Sequence, residues 1–133
     1  FVDNISRYKL DQNTTQKNSL LNSSKLIIFT YESTTLYEAL SLDIPCVCLL
    51  SKPIYFYTKK TQKIFQKMIK ANIFFNNPKL MARHINKNEN DIDNWWNSRK
   101  VSKAKNVFKY NLSSPIGENP HTKLSNLLLK LST

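Results

Sequence analysis

A turn of small hydroxyl residues followed by an acid is the stretch of this sequence best suited to chemistry. Ser33, Thr34 and Thr35 come after an apolar run, and Glu38 lies three residues further on. A helix that begins here would offer unpaired backbone N–H groups and partial positive charge to a phosphate or diphosphate. The three hydroxyls can add donors, and Glu38, one turn into the helix, can accept hydrogen bonds from the two hydroxyls of a ribose.

The same residues also have a purely structural interpretation. Residues 35–38, TLYE, fit the capping-box pattern S/T-x-x-E, in which Glu38 would bond back to Thr35 at the start of a helix. Any α/β protein needs such caps, so the residues alone favour the cap over a ligand site.

The elements around this turn predict a compact β-α-β unit. Residues 25–30, KLIIFT, and 46–50, CVCLL, are short continuous apolar runs, as expected for strands buried on both faces. Between them Leu36, Ala39 and Leu40 recur at helical spacing, and Pro45 stops that helix soon after Leu42. We therefore predict two parallel neighbouring strands joined by a helical crossover.

The rest of the chain predicts helices with one more short strand. A helix over residues 59–70 has an apolar face at Ile64, Phe65, Met68 and Ile69, and a strand is expected within residues 72–75. Further helices are predicted after Asn77-Pro78, from Asp91 to Trp96, and onward through Val101, Ala104, Phe108 and Leu112, with the helix after Asn77 burying Leu80, Met81 and Ile85. The last one runs through Leu124, Leu127, Leu128 and Leu131. The predicted class is α/β, a Rossmann-like parallel sheet over residues 1–112 with a loop and helical tail over 113–133.

Composition narrows the range of partners. The net charge is +11, but the basic residues are 17 Lys against 3 Arg, spread along the sequence without an evident stripe. Specific readers of nucleic acid favour Arg forks and clustered charge, so no specific nucleic-acid partner is predicted. No apolar stretch approaches the ~20 residues of a membrane span, and no signal peptide opens the chain. The start at Phe1, in what looks like the middle of a domain, favours a piece of a longer protein.

The histidine and cysteine pattern predicts no metal site. Cys46 and Cys48 are too close for an ordinary disulfide, and His84 and His121 lie far from them, so we predict two small buried hydrophobic residues in a reduced, cytosolic protein. Trp95 and Trp96 are expected to pack in the core and at a helix or domain junction, with sugar stacking as the alternative. The IYFYT patch, residues 54–58, is expected to be core or interdomain surface.

Three stretches of the sequence resemble the C-terminal half of GT-B-fold glycosyltransferases, and more closely a family of bacterial transferases for capsule, O-antigen and related surface carbohydrates. The first is STTLYEALSLDIP within residues 24–50, the second is KANIFFNNPKLMARHIN, and the third is DIDNWWNSRKVSKAKNVF. The paired tryptophans after an acidic helix start are the most specific element. CDP-glycerol glycerophosphotransferases and nucleotide-sugar epimerases share the broader architecture and are more distant.

The resemblance implies a set of roles. It assigns Ser33, Thr34 and Thr35 to the diphosphate of a nucleotide-sugar donor and Glu38 to its ribose. It implies a glycan or lipid-linked acceptor bound through a missing N-terminal domain, a cytoplasmic enzyme open to peripheral attachment at the inner membrane face, and no cofactor or metal. The sequence assigns no catalytic residue, and we expect residues 1–133 alone to be inactive.

Two departures from the family pattern limit the transfer of roles. Many retaining enzymes carry two glutamates with seven residues between them, whereas Glu32 and Glu38 have five, so Glu32 receives no role. Gly-rich phosphate loops are absent, and Lys52 is a weak candidate for pairing with the diphosphate. The alternatives are an epimerase or polyol-phosphate transferase of the same architecture, or a non-enzymatic basic module that binds nucleic acid or anionic lipid.

Overall fold

A three-stranded parallel sheet lies at the centre of the computed structural model, which describes residues 17–112. The strands are β1 (Ile27–Phe29), β2 (Cys46–Leu49) and β3 (Phe74–Phe75), in the spatial order β1-β2-β3. Ile27 is in register with Cys46, and Cys48 with Phe74. The predicted parallel β-α-β unit is confirmed.

Six helices surround the sheet in the described residues. They are α1 (Lys17–Ser23), α2 (Thr34–Ser41), α3 (Lys59–Lys70), α4 (Pro78–Asn88), α5 (Ile92–Trp96) and α6 (Arg99–Leu112), with a 3-10 turn at Ile54–Phe56. The predicted α/β, Rossmann-like class is therefore confirmed. The tail over 113–133 and its predicted helix lie outside the described residues. None of the helices within residues 17–112 has the length and apolar composition needed to cross a membrane.

The sheet buries a different set of residues on each face, as the alternation of side chains along a strand requires. Cys46 and Cys48 are fully buried against α2, α3 and α6, in the main core with Phe65, Phe74 and Phe108. Both cysteines are free thiols, which confirms their reading as small buried hydrophobic residues. Val47 and Phe75 point to the opposite face, where Met81 of α4 covers them.

Helix α4 begins as predicted but buries fewer residues than expected. Asn77 caps it by accepting from the N–H groups of Lys79 (2.9 Å) and Leu80 (3.4 Å), with Pro78 next in the chain. Met81 is buried, whereas Leu80 is 49% exposed, so its predicted burial is wrong. At about 100° per residue, Leu80 lies ~100° around the helix from Met81, and on α4 that direction is exposed.

The two tryptophans of α5 hydrogen-bond the segments just before β2 and β3, and so attach α5 to the amino edge of the sheet. Trp96 is buried and donates its indole N–H to the Asp43 carbonyl (3.1 Å), just before β2. Trp95 donates to the Ala71 carbonyl (3.3 Å), just before β3, and packs on the His84 ring at 4.6 Å. This confirms the expected core and junction positions, and it makes His84 a packed structural residue.

Candidate functional site

Helix α2 begins directly after the hydroxyl-rich turn and is capped by Ser33. Ser33 has extended backbone angles (φ −95°, ψ 164°), and its Oγ accepts from the Leu36 N–H at 3.3 Å. Thr35 is therefore the second residue of the helix, and the predicted capping box between Thr35 and Glu38 is wrong. The cap gives the backbone N–H of Leu36 a hydrogen-bond partner. The geometry of an α-helix leaves the N–H groups of Thr34 and Thr35 without partners inside the helix.

The four predicted donor-binding residues lie together on the first turns of α2. Thr34 is exposed, while Ser33, Thr35 and Glu38 are half-buried. Thr34 and Glu38 are four residues apart, a spacing that places them on one face of the helix. The turn follows β1 at the carboxyl edge of the parallel sheet, the usual place for ligands in this class of fold.

Glu32, to which the sequence assigned no role, connects the loops that follow β1 and β2. The Ser51 N–H donates to both carboxylate oxygens of Glu32 (3.2 Å each), and Ser51 Oγ donates to Oε2 at 2.6 Å. The Tyr57 hydroxyl donates to Oε1. Ser33 follows Glu32 directly, so these bonds hold the start of α2 against the neighbouring loop.

The environment of Glu32 favours its charged form. Partial burial acts to raise the pKa of Glu32, but the hydrogen bonds from Ser51 and Tyr57 outweigh it, and the pKa lies below its ordinary value. Burial and the same bond to Glu32 raise the pKa of the Tyr57 hydroxyl, which keeps it a donor at neutral pH. The connection between the loops is therefore a set of charge-assisted bonds.

A cleft of about 450 Å³ opens beside this connection at the same edge of the sheet. Ser51 and Lys52, after β2, and Asn76, after β3, line it together with Tyr55 and Ile69. Ser33, Thr34, Thr35 and Glu38 are not part of its lining. The donor-binding candidates and the cleft are thus neighbours through the Glu32–Ser51 bonds and not one pocket.

Two features around the cleft are suited to ligand binding: a positive charge and an exposed pair of aromatic rings. The Lys52 ammonium lies 4.9 Å from the centre of the Tyr57 ring, which places a positive charge next to the Glu32 connection. Tyr55 and Phe56 stack on each other at 4.8 Å and are 70% and 63% exposed. Their exposure contradicts a core position for this part of the IYFYT patch and leaves a surface role.

Other side chains that could take part in a reaction lie away from this edge, or burial keeps them in an unreactive form. Burial raises the pKa of the Cys48 thiol to about 12, and the charge of Glu32 acts in the same direction, so Cys48 is not a nucleophile at neutral pH. Burial lowers the pKa of His84, with Lys87 adding to the effect. Among residues 17–112, no group of three or more His, Cys, Asp or Glu side chains is arranged to hold a metal ion.

Sequence reasoning missed Glu32, although a signal for it existed. Glu32 follows the first predicted strand and Ser51 follows the second, and the carboxyl ends of neighbouring parallel strands meet at one edge. A polar pair at those two positions is therefore expected to lie in contact.

Comparison with known proteins gives one finding. A family model described as LIC12162 family transferase matches residues 1–128 of the 133. The search of curated proteins and the search of solved structures returned no significant match.

Proposed function

The chain belongs to the LIC12162 family of transferases, and we propose that it binds the nucleotide-sugar donor of a glycosyltransferase that builds surface polysaccharide. The single observation that carries the proposal is the start of α2. A capped helix N-terminus with Ser33, Thr34 and Thr35 lies at the carboxyl edge of a parallel sheet, and Glu38 is one turn along it.

This arrangement suits both ends of a nucleoside diphosphate. The N–H groups of the first turn and the hydroxyls of Ser33, Thr34 and Thr35 supply hydrogen-bond donors to the diphosphate. Glu38, on the same face as Thr34, supplies a carboxylate that accepts from ribose hydroxyls. The cleft lined by Ser51, Lys52 and Asn76 lies next to the turn and has room for a further part of the donor.

In the reaction, an acceptor hydroxyl attacks the anomeric carbon of the sugar and loses its proton to a general base. The bond from that carbon to the phosphate oxygen breaks, and the nucleotide leaves with the electron pair. Negative charge grows on the leaving phosphate, where the helix N-terminus and preorganised donors stabilise it. The acceptor, a glycan or lipid-linked molecule, would bind through a further domain. We place the reaction on the cytoplasmic side of the membrane.

Calorimetric titration of the whole protein with UDP-, GDP-, CMP- and CDP-sugars tests the proposal. Glu38→Gln is expected to weaken binding of the preferred donor by roughly tenfold or more, because a charge-assisted bond exceeds a neutral one by about 1–2 kcal/mol. Unchanged affinity would remove Glu38 from the site. Binding of CDP-glycerol in preference to every sugar donor would favour polyol-phosphate transfer on the same architecture.

A matched control is Asp93→Asn on α5. It also removes the charge of one carboxylate, here an exposed one, and α5 packs at the amino edge of the sheet, away from the start of α2. Donor affinity is expected to stay within about twofold of the parent, a change of ~0.4 kcal/mol. An equal loss in both variants would point to overall charge as the cause.

A further inference from the structure

Helices α3 and α6 carry a concentration of positive charge that becomes visible only when they lie side by side. Their segments, KKTQKIFQKMIK and RKVSKAKNVFKYNL, contain ten Lys or Arg and no acid. The two helices pack against each other over the main core. The basic residues are therefore clustered in space, although they are spread along the sequence.

Six of these lysines form one surface, here called the lysine face: Lys60, Lys63, Lys67 and Lys70 of α3, with Lys100 and Lys103 of α6. The α3 members recur at spacings of three and four, which puts them in one stripe about 15 Å long. They line two adjoining depressions of about 470 and 380 Å³ between the helices. Ala104 and Val107 form an apolar floor at the α6 side.

The charges of the lysine face are not neutralised within the described part of the chain. Of the basic residues on α3 and α6, only Lys105 and Lys109 approach an acid among residues 17–112, and both approach Asp43. Like charges held this close repel one another at low salt, so the surface is suited to an anionic partner.

We propose that the lysine face binds the anionic surface of a lipid bilayer, with the sheet's carboxyl edge left open to solvent. Three observations favour a membrane over a nucleic acid. The charges are compact ammonium groups on flexible stems, which fit a diffuse layer of headgroups and lack the bidentate fork of Arg. An apolar floor lies between them. Tyr110, 90% exposed on the same side of α6, is of the type that settles at a membrane interface.

The position of the lysine face suits such docking. α3 and α6 cover one face of the sheet, whereas the Ser33 turn and the cleft lie at its carboxyl edge. A bilayer against α3 and α6 would therefore leave that edge accessible. This inference does not depend on the proposed donor, because it concerns a different surface and a different ligand.

Vesicle co-sedimentation with the whole protein tests the proposal. We expect binding to phosphatidylcholine vesicles that contain about a third phosphatidylglycerol, no binding to phosphatidylcholine alone, and loss of binding near 0.5 M NaCl. Lys63→Gln, Lys67→Gln and Lys103→Gln combined should weaken partitioning about 100-fold, since each lysine near an anionic surface contributes about fivefold.

The matched control replaces the same number of exposed lysines elsewhere. Lys25→Gln, Lys79→Gln and Lys87→Gln combined remove equal charge, and Lys79 and Lys87 lie on α4 at the other face of the sheet. This variant should stay within about threefold of the parent. Circular dichroism and a thermal melt of each variant establish that the fold is kept.

Several outcomes would overturn the proposal. Equal loss in both triple variants would show binding through net charge alone. Absence of binding to anionic vesicles would remove the membrane as the partner. Tighter binding to a short DNA duplex than to the vesicles at the same salt, abolished by the Lys63, Lys67 and Lys103 changes, would assign the lysine face to nucleic acid. Displacement by millimolar inorganic phosphate would indicate a small anion site.

Discussion

Among single residues, Glu32 stands out because four hydrogen bonds to its carboxylate hold two loops together at the carboxyl edge. It accepts from the backbone and hydroxyl of Ser51 and from the hydroxyl of Tyr57, and so links two loops that are far apart in sequence. Because Ser33 is the next residue, the position of the α2 cap depends on this link. Glu32 is therefore a positioning residue for the candidate donor site.

Glu32→Gln is expected to lower stability at pH 7 by about 1–2 kcal/mol, because a neutral amide replaces a carboxylate in charge-assisted bonds. The folded pKa of Glu32 is depressed from its ordinary 4.5, so the stabilisation is present above that value and is lost as the pH falls through the lower, folded pKa. Urea unfolding of parent and variant from neutral pH down to acid measures this. The difference between the two proteins should shrink only below about pH 4.5. A difference that is constant with pH would mean that the charge of Glu32 is not what stabilises the loops.

Lys105 is a buried cation that attaches α6 to the turn between α2 and β2. Lys105 as a whole is only 5% exposed. Its ammonium donates to Asp43 Oδ1 (2.8 Å) and to the Trp96 carbonyl (3.0 Å), and it lies 4.1 Å from the centre of the Trp96 ring. Asp43 has φ 57°, a left-handed conformation that Asn also tolerates. Asp43→Asn therefore removes the charge with little change to the backbone.

Asp43→Asn is expected to destabilise the protein by about 1–3 kcal/mol, since it leaves a buried ammonium without its counter-charge. In a Lys105→Met background the same change should cost about 0.5 kcal/mol or less, because no buried charge remains. A double-mutant cycle by chemical denaturation measures both values. Equal costs in the two backgrounds would show that the ion pair contributes nothing.

At the scale of secondary-structure elements, α2 and α4 begin in the same way but are proposed to do different things. Ser33 caps α2 and Asn77 caps α4, each through a side-chain oxygen that accepts from the first-turn N–H groups. Only α2 is assigned a ligand. The pair therefore separates the structural effect of losing a cap from the effect on binding.

Ser33→Ala and Asn77→Ala should each lower stability by about 1 kcal/mol, the usual cost of removing an N-cap. Only Ser33→Ala should also weaken binding of the nucleotide sugar. The expected loss is roughly fivefold, or ~1 kcal/mol, because one hydrogen-bond donor to the ligand is removed. Thermal melts and calorimetric titration of both variants check this. Similar donor affinity in the two variants would leave Ser33 as a cap and nothing more.

The elements were predictable from sequence to the extent that their signals are local. Residues 59–70 form α3 as expected, because the apolar period and Thr58 cap lie within one segment. Helix α2 begins earlier than the sequence predicts, since Ser33 and Thr35 are both acceptable caps and only the backbone at Ser33 decides between them. The Glu32–Ser51 bonds, and the position of the α3 lysines beside those of α6, join residues distant in sequence, so no local pattern contained them.

At the scale of the whole molecule, charge is distributed unevenly over the fold. The chain has a net charge of +11, and α3 and α6 together carry ten basic residues without an acid. Packed helices lie about 8–10 Å apart, which is shorter than the screening length in dilute salt. Repulsion between the two helices therefore opposes the packing of their apolar faces.

Raising NaCl from about 0.02 to 0.3 M is expected to stabilise the folded protein by ~1 kcal/mol, or roughly 5 °C in Tm, because the screening length falls below the distance between the helices. Neutralising Lys63, Lys67 and Lys103 should raise Tm at low salt and reduce its dependence on salt, whereas the Lys25, Lys79 and Lys87 changes should have a smaller effect on both. Calorimetric melts across the salt series measure all three proteins. If the three show the same salt dependence, the repulsion is a property of the net charge and not of the contact between α3 and α6. The lysine face would then be no more repulsive than the rest of the surface, and the electrostatic argument for an anionic partner at that face would fail with it.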